Sequence, residues 1–319
     1  MEVINQNEYN IVPNGHDCTI YKTQNNECVI TQYKVFKGIK LLYYDVNSPN
    51  CPINLCSSTS EIISINHCRE GRFEFEYCSG EFMYISSGDL CIQKNSSDIK
   101  HICCPLGHYK GVSIVIDLCR VPKCLSCIME DVKVSPAELC KKFCSGSPYT
   151  VMRENDSIKH IFSELYSVPE EIKIGYFKVK VLELLLFLSA IRTEEKERRK
   201  HYSLSQVKLA KQAKKYLLEN IDRHVTIEEL ANTLFVSKTS LKNCFKGVYG
   251  ETIYGFIKNY KMEHSALLLK KTNKSVLEIA GEVGYENSSK YSSAFKKLMG
   301  LTPNEYRKQI VCLEQQADL

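Results

Sequence analysis

Residues 226–250 read TIEELANTLFVSKTSLKNCFKGVYG, and residues 275–300 repeat the pattern as SVLEIAGEVGYENSSKYSSAFKKLMG. Leu230 has its apolar equivalent forty-nine residues later, and Phe245 has its equivalent fifty residues later. Each copy contains two short helical apolar patterns separated by a turn. The repeat therefore predicts two pairs of short helices.

Both copies also carry the signals that begin a helix. Thr226 and Ser237 precede the helices of the first copy, and Ser275 precedes the third helix, while Glu286 or Asn287 begins the fourth. The predicted helices cover residues 227–234, 238–249, 276–283 and 286 or 287 to 299. Two short helices joined by a tight turn form a helix-turn-helix, whose second helix enters a DNA major groove.

One longer helix is predicted between the copies, from Thr252 to Lys271. We expect its buried side to carry Ile253, Phe256, Ile257, Tyr260 and Leu267. At 1.5 Å per residue such a helix is roughly 28 Å long. This length is close to the ~34 Å repeat of the duplex, so one chain could reach two adjacent major grooves.

The charge distribution agrees with a polyanionic partner. Residues 1–200 contain 24 Lys and Arg against 25 Asp and Glu, whereas residues 201–319 contain 18 against 12. The basic excess, +6 in the last third against −1 before it, indicates where nucleic acid would bind. A solvated basic surface without a partner would show the same balance.

Further motifs at fixed spacing extend over the last third of the chain. They are Ile227-x2-Leu230-Ala231, Val236-Ser237-x3-Leu241-x3-Phe245-Lys246, Ser275-Val276-x2-Ile279-Ala280-x2-Val283-Gly284-Tyr285 and Tyr291-x3-Phe295-Lys296-Lys297-x2-Gly300-x-Thr302-Pro303-x2-Tyr306-Arg307. This pattern resembles the DNA-binding domain of the AraC/XylS family of transcription regulators over roughly residues 208–308. Two positions depart from it: Lys261 stands where Arg is usual, and Ser293 stands where the second recognition helix often carries Arg.

The resemblance implies which residues face DNA. In the two recognition helices they are Lys238, Thr239, Lys242 and Asn243, followed by Ser288, Ser289, Lys290 and Ser293. Lys can read guanine and Asn can bind adenine through two hydrogen bonds. Phosphate contacts are expected from Ser237, Lys246, Lys296 and Arg307.

The first part of the chain has a different pattern. From Cys28 to about Leu118, short apolar runs alternate with polar residues, and turn residues separate them. The stretch Gly71–Tyr77 alternates charged and aromatic residues, and we expect it to be a strand between hairpin turns at Arg69–Gly71 and Ser79–Gly80. Many short strands without intervening helices predict a small barrel or sandwich.

This part looks like the cupin-type arm that many AraC/XylS regulators use to bind an effector and to dimerise. Two stretches, Arg69–Arg72 and Ser87–Leu90, resemble the regulators of pyochelin-type siderophore uptake most closely. A cupin-type enzyme would need several convergent ligands for a metal, whereas His67 has no second histidine near it in sequence. We therefore expect a regulator with no catalytic residues, no bound metal and no cofactor, and regard an enzyme with an accessory DNA-binding domain as the weaker alternative.

The cysteines leave a further alternative open. Fourteen of the sixteen lie between Cys18 and Cys144, and Cys124, Cys127, Cys140 and Cys144 have a spacing that could ligate zinc or an iron–sulfur cluster. A metal- or thiol-redox-sensing regulator is thus an alternative. Small apolar cysteines packed in a core would fit the same positions.

A helical segment follows the strands. The stretch Val181–Leu188 is apolar almost all round, which requires cover from a second subunit or from the rest of the domain. We favour the subunit, because two protomers would present four recognition helices to a longer operator.

The expected fold class is α+β, with a cupin-like β-barrel and a helical hairpin before an all-α double helix-turn-helix domain. The expected segments are a β-rich effector-binding domain (1–134), a helical dimerisation segment (135–192), a charged linker (193–204), the DNA-binding domain (205–310) and a tail (311–319). The expected partners are double-stranded DNA, an unidentified small-molecule effector and a second copy of the chain, with RNA polymerase as a further candidate. The start of the sequence lacks the features of a signal peptide and no stretch is long enough to span a membrane, which together predict a cytoplasmic protein.

Overall fold

The chain forms two compact units, Met1–Ser203 and Leu204–Leu319, which are described separately. The structure is a computed structural model. It describes residues 9–50, 61–94, 99–124, 134–145, 147, 149–191 and 201–309. The predicted tail and most of the predicted linker lie outside these residues.

The first unit is built on antiparallel strands. Those in its described part are β1 (Asn10–Pro13), β2 (Cys18–Lys22), β3 (Cys28–Phe36), β4 (Ile39–Val46), β5 (Ile62–Tyr77), β6 (Glu81–Ser86), β7 (Leu90–Lys94), β8 (Ile99–Cys103), β9 (Tyr109–Asp117), β10 (Tyr149–Met152) and β11 (Tyr202–Ser203). Their order from one edge is β1-β2-β3-β4-β9-β5-β6-β11, while β7 and β8 also pair with β5, and β10 pairs with β7. Among the described strands this ladder does not close, so we observe an open antiparallel sheet domain in place of the predicted closed cupin-like barrel.

The strand β5 has sixteen residues and belongs to two parts of the sheet. Its first part, to Gly71, pairs with β9 and β7, and its second part, from Arg72, pairs with β6 and β8. The hairpin turn predicted at Arg69–Gly71 is therefore wrong. The residues lie inside β5, where the register shifts between Cys68 and Glu70 and Gly71 has φ +81°. Glycine suits this bulge because any Cβ there would lie 2.2 Å from the carbonyl oxygen of His108.

The sheet has two apolar faces. One carries aromatic residues, including Phe75 and Tyr109, which pack among themselves. The other face is covered by helices α1 (Pro136–Cys144), α2 (Asp156–Leu165) and α3 (Lys173–Ala190). Because side chains alternate along each strand, this two-sided burial explains why most residues of β5 and β9 are buried.

The helix α3 is buried along one side only. Phe177, Val181, Leu184 and Leu188 are packed against the sheet and the neighbouring helices. Val179 and Leu186 lie on the opposite side and are 60% and 37% exposed. The band of leucines read from the sequence is thus divided between an internal face and an accessible one.

The end of the predicted linker has regular structure. Tyr202 and Ser203 form β11, which pairs with Phe82 and Glu81 of β6. A helix then begins at Leu204 without an intervening residue. Residues 202–204 differ from a free linker because they belong to a strand and a helix.

The second unit is helical. Its described helices are α4 (Leu204–Glu219), α5 (Ile227–Thr233), α6 (Lys238–Tyr249), α7 (Ile253–Lys271), α8 (Val276–Glu282) and α9 (Ser288–Met299). The predicted caps Thr226, Ser237 and Ser275 are confirmed, and Asn287 is the cap of α9. None of the helices in the described part is long and apolar enough to cross a membrane.

The long helix α7 lies between the two copies in sequence and contributes to the core of the second. Its Met262 and Leu269 pack with Ile279, Tyr291 and Phe295. Ile253 and Phe256 are buried as predicted, but Leu267 is 52% exposed, so the prediction for that residue is wrong. The helix therefore has a solvent-facing side near its end, where the sequence had suggested an apolar contact.

Candidate nucleic-acid interface

The helix α6 separates its buried and exposed residues cleanly. Leu241, Phe245 and Val248 are buried in the domain. The predicted DNA-facing residues are all exposed: Ser237, Lys238, Thr239, Lys242, Asn243 and Lys246. The hydroxyl of Ser237 accepts a hydrogen bond from the backbone N–H of Ser240 at 3.1 Å, which caps the helix at its exposed end.

The lysines of α6 differ in what surrounds them. The side chains of Lys242 and Lys246 have no ion-pair partner within the described ranges. Lys238 instead lies 2.8 Å from the Glu228 carboxylate of α5, and this contact holds the pKa of Glu228 below its ordinary value. Lys242 and Lys246 can therefore bind an anion directly. Lys238 can do so only if its ammonium also keeps its contact with the Glu228 carboxylate or breaks that ion pair.

The helix α9 is organised in the same way but with smaller polar groups. Tyr291 and Phe295 are buried, and Asn287 caps the helix by accepting from the N–H groups of Ser289 and Lys290 at 2.9 and 3.0 Å. The predicted positions on this helix divide by accessibility: Ser289, Lys290, Ser293 and Lys296 are exposed, and Ser288 is half-buried. A serine at position 293 reaches less far than the arginine that the family pattern often carries.

Arg307 has a partner inside its own unit. Its terminal guanidinium nitrogen donates to the carbonyl oxygen of Lys274, and its Nε is buried without a hydrogen-bond partner among the described residues. The side chain therefore ties the chain after α9 to the segment before α8. Sequence reasoning assigned it only to phosphate and missed this internal contact, for which the sequence carries no signal.

Lys261, the other departure from the family pattern, is not at the surface. It is 8% exposed, its Nζ lies 3.4 Å from the carbonyl oxygen of Arg223, and burial lowers its pKa. Its ammonium also lies 5.9 Å from the ring centre of Tyr285, beside a cavity of about 440 Å³ in this unit. Lys261 thus joins α7 to the turn of the second copy.

The thiols do not form a metal site within the part of the chain that the structure describes. No group of three or more His, Cys, Asp or Glu residues there could hold an ion. Cys127, one of the four predicted ligands, lies outside the described residues. Cys140 and Cys144 are neighbours on α1, and the hydrogen bond between them, helped by the charge of Lys94, lowers the pKa of Cys140 to about 7.

His67 is embedded among aromatic residues. Its ring stacks on Phe162 with centroids 4.1 Å apart, and its Nδ1 lies 3.2 Å from the hydroxyl of Tyr166. Burial lowers the pKa of His67 to about 4, so the ring is neutral near pH 7. These contacts are those of a packed histidine, and His101 and His108 lie elsewhere in the sheet domain.

Comparisons with known proteins match the second unit. A family described as a helix-turn-helix domain matches residues 230–309. The melibiose operon regulatory protein of Escherichia coli (strain K12) is 32% identical over 93 residues, covering 29% of this chain and 31% of that protein. An "AraC-like transcription regulator" of Streptomyces lividans is 35% identical over 86 residues, covering 27% and 28%. The chain thus spans less than a third of the length of these relatives.

A solved structure is similar to about a third of this chain. It is the C-terminal domain of AraT, a response regulator from Geobacillus stearothermophilus, at 33% sequence identity. The similarity covers 32% of this chain and 84% of that chain, with a TM-score of 0.31. The helix-turn-helix assignment rests on the sequence matches and on the helices α5, α6, α8 and α9.

Proposed function

We propose that the chain is a sequence-specific transcription regulator of the AraC/XylS family, whose second unit binds DNA and whose first unit binds a small effector. The observation that carries the proposal is the pair of capped helices α6 and α9, each with a buried apolar side and an exposed side of lysine and short polar residues. Such a helix can enter a major groove and bind base edges and phosphates together.

The two recognition helices would contribute differently. On α6, Lys242 and Asn243 offer long and two-pronged hydrogen bonding to bases. On α9, Ser289 and Ser293 offer hydroxyl groups with short reach, beside the charge of Lys290. We assign most of the sequence discrimination to α6 and register-setting phosphate contacts to Ser237, Lys246, Lys296 and the remaining N–H groups of Arg307.

The test measures binding of the second unit to DNA. A fragment from Leu204 to residue 310 should bind duplex DNA from the region upstream of its own gene, with an affinity that falls steeply with salt. Replacing Lys246 and Lys296 by Met should lower the slope of log affinity against log salt by about 2, since each phosphate contact contributes about 0.9.

Replacing Lys208 and Lys215 of α4 by Met removes the same charge from another helix of this unit and is the control. Salt-insensitive binding by the unaltered fragment, or an equal slope in both pairs of variants, would contradict the proposal.

The effector is proposed to bind on the sheet face opposite the helices. Asn66 and Gln93 are 6% and 1% exposed, and the Nδ2 of Asn66 and both amide atoms of Gln93 have no hydrogen-bond partner among the described residues. Buried amides without partners are costly, so a polar small molecule that supplies these hydrogen bonds would be favoured there. Native mass spectrometry of freshly purified protein, compared with Gln93→Leu, tests whether a small molecule is retained.

We also propose a homodimer formed through α3. Val179 and Leu186 are seven residues apart, and Ile172, seven residues before Val179, is 52% exposed. Packing against a second copy would remove these exposed apolar side chains from water. The effector would act by changing the populations of two arrangements that differ in DNA affinity.

Thiol sensing is a second candidate function, because Cys140 and Cys144 are neighbours on α1 and the pKa of the Cys140 thiol is lowered. Metal analysis of anaerobically purified protein, together with alkylation of Cys140 at two pH values, distinguishes this candidate from a small-molecule effector. Retained zinc or iron, or alkylation that changes DNA binding, would favour it.

A further inference from the structure

The two helix-turn-helix motifs contain equivalent turns. In the first, the N–H of Phe235 donates to the carbonyl of Asn232 and that of Val236 donates to Ala231. In the second, the N–H of Gly284 donates to Gly281 and that of Tyr285 donates to Ala280. The hydrogen-bond pattern repeats at an offset of forty-nine residues, which makes Phe235 the equivalent of Gly284.

Both residues have left-handed backbone conformations, but only one is a glycine. Gly284 has φ +70°, and a Cβ at this position would lie 2.8 Å from the backbone of Asp222. Glycine is thus required in the second turn by conformation and by space. Phe235 has φ +53°, and only it and Asn26 have positive φ among the non-glycine residues that the structure describes. A bulky residue in this region is strained, whereas asparagine tolerates it.

The side chain of Phe235 gains nothing from the fold. It is 94% exposed, more than any other large apolar side chain within the described ranges. The strain is therefore not offset by packing within the second unit. An outlier of this kind suggests that the side chain has a function outside the unit.

The position of Phe235 indicates the partner. It lies two residues before the cap Ser237 and three before Lys238, so its Cα is at most roughly 11 Å from that of Lys238. Ser237, Lys238 and Thr239 are all exposed at this end of α6. The ring thus extends from the same end of the recognition helix that is proposed to meet DNA.

We infer that Phe235 makes an apolar contact with a thymine C5-methyl group at the edge of the operator half bound by α6. Phenylalanine is one of the side chains that contact this methyl group in the major groove, and the methyl distinguishes thymine from the other bases there. The inference rests on the proposed DNA-binding function and adds a specificity-determining residue that carries no charge and no hydrogen-bonding group.

The experiment removes the methyl group from DNA and the ring from the protein. Duplex DNA from upstream of the gene is footprinted with the full chain, and each protected thymine is replaced in turn by deoxyuridine, which lacks only the C5-methyl. One replacement should weaken binding of the unaltered protein about 4-fold, the equivalent of one buried methyl group. The same replacement should leave the affinity of Phe235→Gly unchanged.

The variants separate a contact from a structural role. Phe235→Gly should bind the thymine duplex roughly 10-fold more weakly, while its thermal midpoint of unfolding stays equal or rises, because the left-handed strain is relieved. Phe235→Tyr keeps the ring and should retain the affinity. Leu267→Gln removes another exposed apolar side chain from this unit while keeping the helix propensity of α7, and it should change neither quantity.

Each contrary result has a distinct meaning. If the deoxyuridine effect persists in Phe235→Gly, or if no thymine is sensitive, the contact is absent and the inference is overturned. It is also overturned if Phe235→Gly lowers the thermal midpoint along with the affinity, since the residue is then structural. Unchanged DNA affinity with reduced transcription would assign the ring to a protein partner. If the unaltered chain binds none of the upstream duplexes, the proposed function itself fails together with this inference.

Discussion

Lys242 and Asn243 are adjacent on α6 and are both exposed, but they offer different hydrogen-bonding groups. The ammonium can bind guanine O6 and N7, and the amide can bind adenine through one donor and one acceptor. Replacing either by Ala should therefore weaken binding to one half of the operator by about 1–3 kcal/mol. Ser289→Ala on α9 should cost less, because a hydroxyl makes a single short contact. Footprinting and equilibrium binding with half-site variants measure this, and dominant discrimination by α9 would contradict the ranking.

Gly284 gives a prediction about stability alone. Gly284→Ala forces a Cβ against the Asp222 backbone and keeps a left-handed conformation that alanine disfavours. We expect a loss of at least about 1–2 kcal/mol in unfolding free energy of the second unit. Gly281→Ala is the matched control, since nothing lies within 4 Å of a Cβ there. Thermal unfolding of both variants measures the difference, and equal midpoints would refute the steric account.

His67 makes the stability of the first unit depend on pH. Its folded pKa of about 4 is lowered by burial, and the Asp89 carboxylate acts in the opposite direction. The unfolded chain, with the ordinary pKa near 6.5, binds a proton first as the pH falls. Stability is thus present above pH 6.5 and is lost between pH 6.5 and 4, by on the order of 2–3 kcal/mol. Denaturant unfolding followed by tyrosine fluorescence should show a flatter pH dependence in His67→Gln.

At the scale of elements, the outward side of α3 carries the test for dimerisation. Val179→Glu or Leu186→Glu places a charge on the exposed stripe and should yield a folded monomer with weaker operator binding. Sedimentation at micromolar concentration measures the assembly, and Lys159→Glu on the exposed side of α2 is the control. An unaltered protein that sediments as a monomer with and without DNA would rule out the dimer. A dimer formed through α3 would also be ruled out if Leu186→Glu is insoluble while Val179→Glu is soluble and still dimeric.

The helices of the second unit could be predicted from the sequence because their limits depend on local chemistry. Ser237 and Ser275 cap the helices that follow them, and Ser275 also exchanges hydrogen bonds with Glu278 three residues later. The prediction that Leu267 is buried was wrong, because its burial depends on which neighbouring element covers the end of α7. No local sequence pattern specifies this.

The strand β5 was not predictable in the same way. Arg69, Glu70 and Gly71 have the composition of a hairpin turn, yet pairing with β9 continues through a bulge at these residues. The partners that decide this lie thirty-eight or more residues away in the sequence, beyond the reach of turn propensity. Whether a sheet closes into a barrel also depends on pairing between strands that are far apart in the sequence. This explains why a closed barrel was expected and an open sheet is observed.

At the scale of the whole molecule, the two units divide the chemistry between them. The basic excess lies in the last third of the chain. The buried Nδ2 of Asn66 and both amide atoms of Gln93, which have no hydrogen-bond partner among the described residues, lie in the sheet unit. The positions proposed for DNA contact follow from the family pattern and from exposure on α6 and α9. The positions proposed for the effector could not be predicted, because a buried amide without a partner is visible only once the strands are paired.

The shared strand β5 has a consequence for how slowly the backbone of this molecule exchanges hydrogen with solvent. From Ile63 to His67 its residues pair with β9 on one side and β7 on the other, and from Glu74 to Glu76 they pair with β6 and β8. Each amide in these stretches donates to one neighbouring strand, while the strand on its other side keeps β5 inside the sheet, so opening there approaches global unfolding of the sheet unit. In deuterium oxide these amides should retain their protons longest. The amides of β1, whose residues are exposed and pair with β2 alone, should exchange first among the strands.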